Sequence, residues 1–158
     1  MKRFVSIVVS IVVSVALCLI VGFVSQRIQM EPLHSWYPLL NKSSLTPPGW
    51  VFSVVWTLLY VLIGISAALL YNSHGVSKRV LLPLFAVQLL LNVLWSYCFF
   101  GMQSILLGLA VLFILMVLAV AYFIGLLWME RLAAFFFLPY LLWLFFAVYL
   151  NTYMLIFN

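Results

Sequence analysis

Five apolar stretches, each long enough to cross a lipid bilayer, occupy almost the whole chain of 158 residues. A transmembrane helix needs roughly 20 predominantly apolar residues, and only 6% of this chain is charged. Windows of that kind lie at residues 4–24, 48–71, 80–99, 104–128 and 133–157. The sequence therefore predicts an all-α integral membrane protein, a single five-transmembrane-helix bundle over 1–158, with a long loop at 25–47.

The first stretch follows Lys2 and Arg3, as the apolar part of a signal peptide would. It is nevertheless as long as a bilayer crossing and lacks a small-x-small cleavage site, so we expect a retained helix. Small residues recur on it at every fourth position and share one face, namely Ser6, Ser10, Ser14, Cys18 and Gly22. Small side chains allow close approach of helices, so this face is predicted to pack against a neighbouring helix.

The basic residues predict the orientation in the membrane. Five of them belong to the N-terminus and the second and fourth connections, whereas only Arg27 and Lys42 lie in the first connection. The positive-inside rule then predicts a cytoplasmic N-terminus and an outside C-terminus. The same rule, together with anionic lipid, accounts for the net charge of +5, so no nucleic-acid partner is expected.

The long first connection carries Trp36 and Tyr37, which argue against disorder. These two rings can anchor the chain at the membrane surface or cap a pocket, and the residues alone do not decide between the two. Arg27 and Lys42 can bind lipid headgroups or, alternatively, the carboxylates of a ligand.

Three of the predicted helices each present a tryptophan beside hydrogen-bonding groups on one stripe. These stripes comprise Ser53, Trp56, Thr57, Tyr60 and Gly64, then Gln88, Asn92, Trp95 and Ser96, and finally Tyr140, Trp143, Ala147 and Asn151. The amides of Gln88 and Asn92 can hydrogen-bond a neighbouring helix or form part of a pocket wall. The convergence predicts one interior aromatic cavity suited to a flat apolar ligand.

Several classes of function are disfavoured by the placement of the ionisable residues. Glu31, Glu130, His34 and His74 all fall outside the predicted helices. A proton-coupled carrier usually needs an acid or histidine within the membrane, and no nucleophile–base pair or metal cluster stands out. We therefore expect no metal site and no conventional hydrolase. The turn FFGMQS at 99–104 is short and uncharged, and is predicted to carry no site.

Three ordered motifs carry a resemblance that covers nearly the whole chain. They are WYPLLNKSSLTPPGWVFSVVWTLLYVLIG at 36–64, QLLLNVLWSYCFFG at 88–101 and LPYLLWLFFAVYLN at 138–151. Together they resemble the TspO/MBR family of translocator proteins, or peripheral benzodiazepine receptors, and bacterial tryptophan-rich sensory proteins. The resemblance implies a homodimeric five-helix bundle that binds tetrapyrroles such as protoporphyrin IX, isoquinoline carboxamide and benzodiazepine drugs and, in animal members, cholesterol.

Carried over by motif, the ligand-binding residues would be Tyr37, Pro47, Trp50, Trp56, Asn92, Trp95, Trp143 and Ala147. Tyr60 and Asn151 join them as members of the same stripes. Trp56 and Trp143 are the residues that the resemblance would connect with light-dependent oxidative degradation of protoporphyrin IX.

The resemblance leaves alternatives to a tetrapyrrole-binding protein, namely a transporter of tetrapyrroles or a stress regulator that binds sterol or lipid. No internal repeat of the kind that carriers use is evident. The final helix reads VYLNTYMLIFN and lacks the Lys or Arg that completes the cholesterol motif of animal members, which lowers the expectation of a sterol ligand.

Overall fold

The computed structural model of the protein describes residues 2–73 and 78–158. Within these residues the chain forms helices α1 (Lys2–Ser35), α2 (Gly49–Asn72), α3 (Lys78–Ser96), α4 (Ile105–Met129) and α5 (Arg131–Phe157). All five are long and apolar enough to cross a membrane, which confirms the predicted all-α, five-helix fold. His74 lies outside the described residues.

The first helix is longer than predicted, because α1 continues to Ser35 instead of ending near residue 24. The prediction of a loop over 25–47 was therefore wrong for residues 25–35, and His34 lies on a helix. This segment is rich in good helix formers such as Gln, Arg and Met. Its polar residues lower the hydropathy without breaking the helix, so a hydropathy window stops too early. The true connection, residues 36–48, begins with a 3₁₀ turn at Tyr37–Leu39.

The small-residue face of α1 packs against α2 at Cys18 and Gly22, whereas Ser6, at its other end, is exposed. Cys18 is buried in the core that these helices share. Gly22 faces the ring of Tyr60, and Gly64 of α2 faces the backbone of Val15. Glycine at these two positions lets the helices approach closely.

The other helices complete the bundle. α2 also packs against α5, and α4 lies against α3 and α5. Tyr122 of α4 is fully buried with its ring 4.8 Å from that of Phe137. The Ser66 hydroxyl of α2 donates a hydrogen bond of 2.8 Å to the carbonyl of Ala133. These contacts join α2, α4 and α5.

The end of α3 is a π-helical turn at Tyr97–Gly101. A π turn inserts one extra residue into an α-helix and changes the direction of the side chains that follow. Here Phe99 and Phe100 are buried, and they reach the cavity described below. The turn at 99–104 thus contributes to the candidate site, contrary to the prediction that it would carry none.

The connection of residues 36–48 and the end of α5 lie on the same side of the bundle. Asn41 in that connection and Asn158, just beyond α5, hydrogen-bond one another. Large apolar side chains cover the outside of the helices, for example Leu90 and Ile156, each 69% exposed. In a membrane protein such side chains face lipid. Which side of the membrane holds the N-terminus remains a prediction of the charge count.

Candidate functional site

A cavity of about 1170 Å³ lies between α1, α2, α3, α5 and the residue 36–48 connection. Ligand pockets usually enclose about 300–1,000 Å³, so this space suits a large ligand. All ten residues predicted to bind a ligand line it, namely Tyr37, Pro47, Trp50, Trp56, Tyr60, Asn92, Trp95, Trp143, Ala147 and Asn151. The three tryptophan-bearing stripes therefore do converge on one space.

Two indoles from α2 and α3 form one wall of the cavity. The rings of Trp56 and Trp95 are stacked, with centroids 6.3 Å apart and planes inclined by 27°. Trp95 stacks in turn on Phe99 at 5.5 Å and 14°. All three rings line the cavity, which favours an aromatic ligand that can pack against them.

α5 supplies a second wall through residues spaced by one helical turn. Trp143 packs edge-on against Phe52 of α2, with centroids 5.9 Å apart. Ala147 follows it and is small, which leaves room in the cavity. Asn151 is only 1% exposed, and neither amide atom has a hydrogen-bond partner in the described part of the chain. Buried polar atoms are normally paired, so this amide is available to a polar group or to water.

Asn92 belongs both to helix packing and to the cavity wall. Its side-chain nitrogen donates to the Tyr140 hydroxyl at 2.8 Å and to the Gln88 carbonyl at 2.9 Å. Its side-chain oxygen has no partner among the described residues. Gln88 is also buried, but it donates to the Leu84 carbonyl of its own helix and does not line the cavity. Of the two amides on this stripe, only Asn92 reaches the candidate site.

The aromatic pair of the first connection lies over the cavity end of α3. Trp36 packs edge-on against Phe99 at 5.4 Å, and Tyr37 lies 5.7 Å from the ring of Phe100. Burial raises the pKa of Tyr37 to about 12, so its hydroxyl is neutral at physiological pH. The geometry favours the cap of a pocket over an anchor at the membrane surface. We refer to residues 36–48 as the lid.

The ammonium group of Lys42 is held by the lid itself. Its Nζ donates to the backbone carbonyls of Tyr37, Pro38 and Leu40 at 2.9, 3.1 and 2.9 Å, and it lies 5.0 Å from the centre of the Tyr37 ring. These three acceptors occupy the three donors of an ammonium. Arg27 does not line the cavity and lies over the Phe23 ring at 5.8 Å. The structure thus gives Lys42 a role in shaping the lid.

The chain is similar over most of its length to known membrane proteins. The sequence profile of the TspO/MBR family matches residues 14–157. The tryptophan-rich protein TspO of Chlorobaculum tepidum is 36% identical over 146 residues, which cover 91% of this chain and 92% of that protein. The chain belongs to the TspO/MBR family.

Two further relatives show the breadth of that family. Protein CrtK of Rhodobacter capsulatus is 38% identical over 120 residues, covering 74% of each chain. The translocator protein of Sus scrofa is 34% identical over 135 residues, covering 82% of this chain and 79% of that protein. Membership in the TspO/MBR family and the five apolar helices identify the chain as a multi-pass membrane protein.

The site of this TspO/MBR member also includes residues that sequence reasoning missed. Ser25 and Gln29 line the cavity from the extended part of α1, and Gln29 donates a hydrogen bond of 2.8 Å to the Ser96 hydroxyl of α3. Their spacing from Gly22, three and seven residues, continues one helical face. This periodicity in the sequence would have predicted that α1 continues beyond residue 24 and that Ser25 and Gln29 belong to the site.

One side of the cavity is less enclosed than the others. Leu19 and Phe23 of α1 line it, although they are 37% and 61% exposed. Ser53 and Thr57 of α2 line both this cavity and a shallow groove on the outer surface of α2. The cavity is therefore partly open between α1 and α2, on the side of the bundle.

Proposed function

We propose that this protein binds a tetrapyrrole of the protoporphyrin IX type in the cavity beneath the lid. The observation that carries the proposal is the aromatic wall of Trp56, Trp95 and Phe99, against which a rigid aromatic macrocycle can pack. The volume of about 1170 Å³ allows a ligand of that size, and family membership supports the same class. Hydrophobic drug-like molecules with fused rings fit the same surface.

Binding is tested by quenching of tryptophan fluorescence with protoporphyrin IX in detergent or lipid nanodiscs. Trp143→Phe removes part of one cavity wall, and we expect about threefold to tenfold weaker binding, since an aromatic pair contributes about 0.5–1.5 kcal/mol. Trp128→Phe is the matched control, because Trp128 is 87% exposed and lies outside the cavity.

The amide of Asn92 is tested by Asn92→Ala in the same titration. This change also removes the hydrogen bond to Tyr140, so Tyr140→Phe serves as the control that loses the helix contact but keeps the amide. Weaker binding by Asn92→Ala than by Tyr140→Phe would support a direct contact between the amide and the ligand. If neither Trp143→Phe nor Asn92→Ala changed the affinity, the proposed ligand site would be wrong.

We propose light-dependent oxidation of the bound porphyrin as a second activity, favoured by the position of Trp56 and Trp143 on the cavity wall. In this reaction an indole gives one electron to the excited porphyrin, which passes it to O₂. Superoxide forms, and the indole radical cation takes an electron back from the ring of the bound porphyrin. The resulting porphyrin radical cation then combines with superoxide, so that one porphyrin and one O₂ give an oxygenated product and the indole is restored. Replacement of both tryptophans by Phe should stop the light-dependent loss of porphyrin absorbance under air. Unchanged decay at equal ligand occupancy would exclude the reaction.

We further propose the orientation that the charge count predicts. Because α1 runs from Lys2 to the lid, a cytoplasmic N-terminus places the lid and the end of α5 outside. A single cysteine introduced at Leu39, which is 80% exposed on the lid, would then react with an impermeant thiol reagent added to intact cells. Cys18 and Cys98 are both buried, so the parent protein is the control. If the introduced cysteine reacted only after the cells were lysed, the lid would lie in the cytoplasm and the predicted orientation would be wrong.

A further inference from the structure

The lid is fastened to the end of α5 by hydrogen bonds around Asn41. The Asn41 backbone N–H donates to Asn158 Oδ1 at 2.8 Å, and Asn158 Nδ2 donates back to the Asn41 carbonyl at 3.2 Å. The Asn41 side chain adds a third bond of 2.9 Å to the carbonyl of Phe157. Asn158 is itself oriented by a bond of 2.8 Å to the Met154 carbonyl.

A second fastening point lies two residues further along the lid. The hydroxyls of Ser43 and Tyr149 are 2.9 Å apart and share a hydrogen bond. Ser43 is 6% exposed, and its Oγ also accepts the backbone N–H of Leu45 at 3.2 Å. This contact therefore holds both the side chain and the local turn of the lid.

The turn of the lid that precedes the two fastening points is held together by Lys42. Lys42 lies between Asn41 and Ser43, and its ammonium ties together three carbonyls of the preceding turn. Asn41, Lys42 and Ser43 all line the cavity, whereas Tyr149 and Asn158 do not. A large ligand that passes under this segment must therefore break its contacts with α5, because the lid has little freedom to bend by itself.

We propose that the Asn41–Asn158 and Ser43–Tyr149 contacts form a latch, and that its opening sets the rate at which ligand enters and leaves the cavity. The kinetic part rests on the proposed ligand-binding function, whereas the mechanical part concerns the lid alone. Since Tyr149 and Asn158 lie outside the cavity, removing their bonds leaves the ligand contacts in place. A looser latch therefore raises the association and dissociation rates by a similar factor and leaves Kd nearly unchanged.

The latch is tested with Asn158→Ala, Tyr149→Phe and the double variant. Each neutral hydrogen bond that is lost raises the population of the open lid by about fivefold, so Tyr149→Phe should change both rates by that factor and Asn158→Ala by more. Thr152→Val is the matched control. It removes a bond of 2.7 Å to the Val148 carbonyl within the same part of α5 and does not involve the lid.

Two measurements separate the latch from the function on which it rests. Amide hydrogen exchange of residues 39–46 in the ligand-free protein should be faster in the latch variants and unchanged in Thr152→Val. Stopped-flow quenching by protoporphyrin IX then measures both rate constants. If the porphyrin does not bind, the proposed function fails, and faster lid exchange still supports the mechanical latch.

Three results would overturn the proposal. Unchanged hydrogen exchange in the lid of all three latch variants would show that the contacts do not hold it closed. Faster lid exchange with unchanged ligand rates would show that ligand takes another path, such as the gap between α1 and α2. An increase in the dissociation rate alone would show that Tyr149 or Asn158 stabilises the bound ligand rather than gating it.

Discussion

Gly64 is the position where one added methyl group most directly tests the packing of α1 on α2. A Cβ atom there would lie 2.7 Å from the Val15 Cα and 3.0 Å from both the Val15 backbone nitrogen and its Cγ2. Favourable contacts between carbon atoms lie at about 3.5–4.0 Å. Because two of these three atoms belong to the backbone, no change of rotamer removes the overlap. In Gly64→Ala the two helices must move apart by about 1 Å.

The cost of that movement can be compared with a control glycine in the same helix. A Cβ added at Gly49, the first residue of α2, would meet no atom within 4 Å. Both substitutions reduce the conformational freedom of the unfolded chain in the same way, so the difference between them reports mainly the steric overlap. Overpacking of this kind costs about 1–3 kcal/mol.

Thermal unfolding of the two variants in the same detergent, followed by circular dichroism, measures this difference. For a chain of this size, 1 kcal/mol lowers Tm by about 2–4 °C, so Gly64→Ala should unfold about 2–12 °C below Gly49→Ala. Equal stability of the two variants would refute the close approach of α1 to α2. Such a result would also undermine the α1 wall of the cavity.

Three further predictions concern the cavity, the core and the lid. Gly22→Ala places a Cβ 2.6 Å from the ring of Tyr60, so this cavity residue must shift. Titrations with protoporphyrin IX should therefore show weaker binding than in the parent protein, and an unchanged affinity would contradict this prediction. Ser66→Ala removes the buried bond to the Ala133 carbonyl and should lower the unfolding free energy by about 1 kcal/mol without changing porphyrin affinity. Lys42→Met removes the hydrogen bonds to the lid carbonyls, which loosens the lid. Protoporphyrin IX and its dimethyl ester should therefore both enter and leave the cavity faster, and by the same factor. A loss of affinity restricted to the free dicarboxylate would instead show that Lys42 binds the ligand.

The number of helices and the convergence of three tryptophan-bearing stripes could be predicted from the sequence. Both follow from a strong constraint, because a helix that crosses lipid must be long and apolar and must turn its few polar groups inward. Trp56, Asn92 and Trp143 could thus be assigned to a common cavity without coordinates. The family resemblance rested on the same residues, and the match over residues 14–157 confirms it.

Where α1 and α3 end could not be predicted in the same way. Hydropathy is averaged over a window, so the polar residues of 25–35 resembled a loop, although Ser25 and Gln29 continue the inner face of α1. The extra residue of the π turn at Tyr97–Gly101 has no signature in apolar composition. Because the ends of α1 and α3 were predicted wrongly, the site predicted from the sequence lacked the cavity residues that lie there.

The sequence by itself determined that this protein lies in the membrane, how many times its helices cross it, and which stripes of α2, α3 and α5 meet at the cavity. Only the tertiary structure decided the partners of individual groups: Asn92 with Tyr140, Gly64 with Val15, Asn41 with Asn158, and the Lys42 ammonium with the carbonyls of its own lid. The physical reason is that transfer of a helix into lipid depends on its composition and periodicity. A particular contact depends on how helices are rotated and how the connection between them folds back.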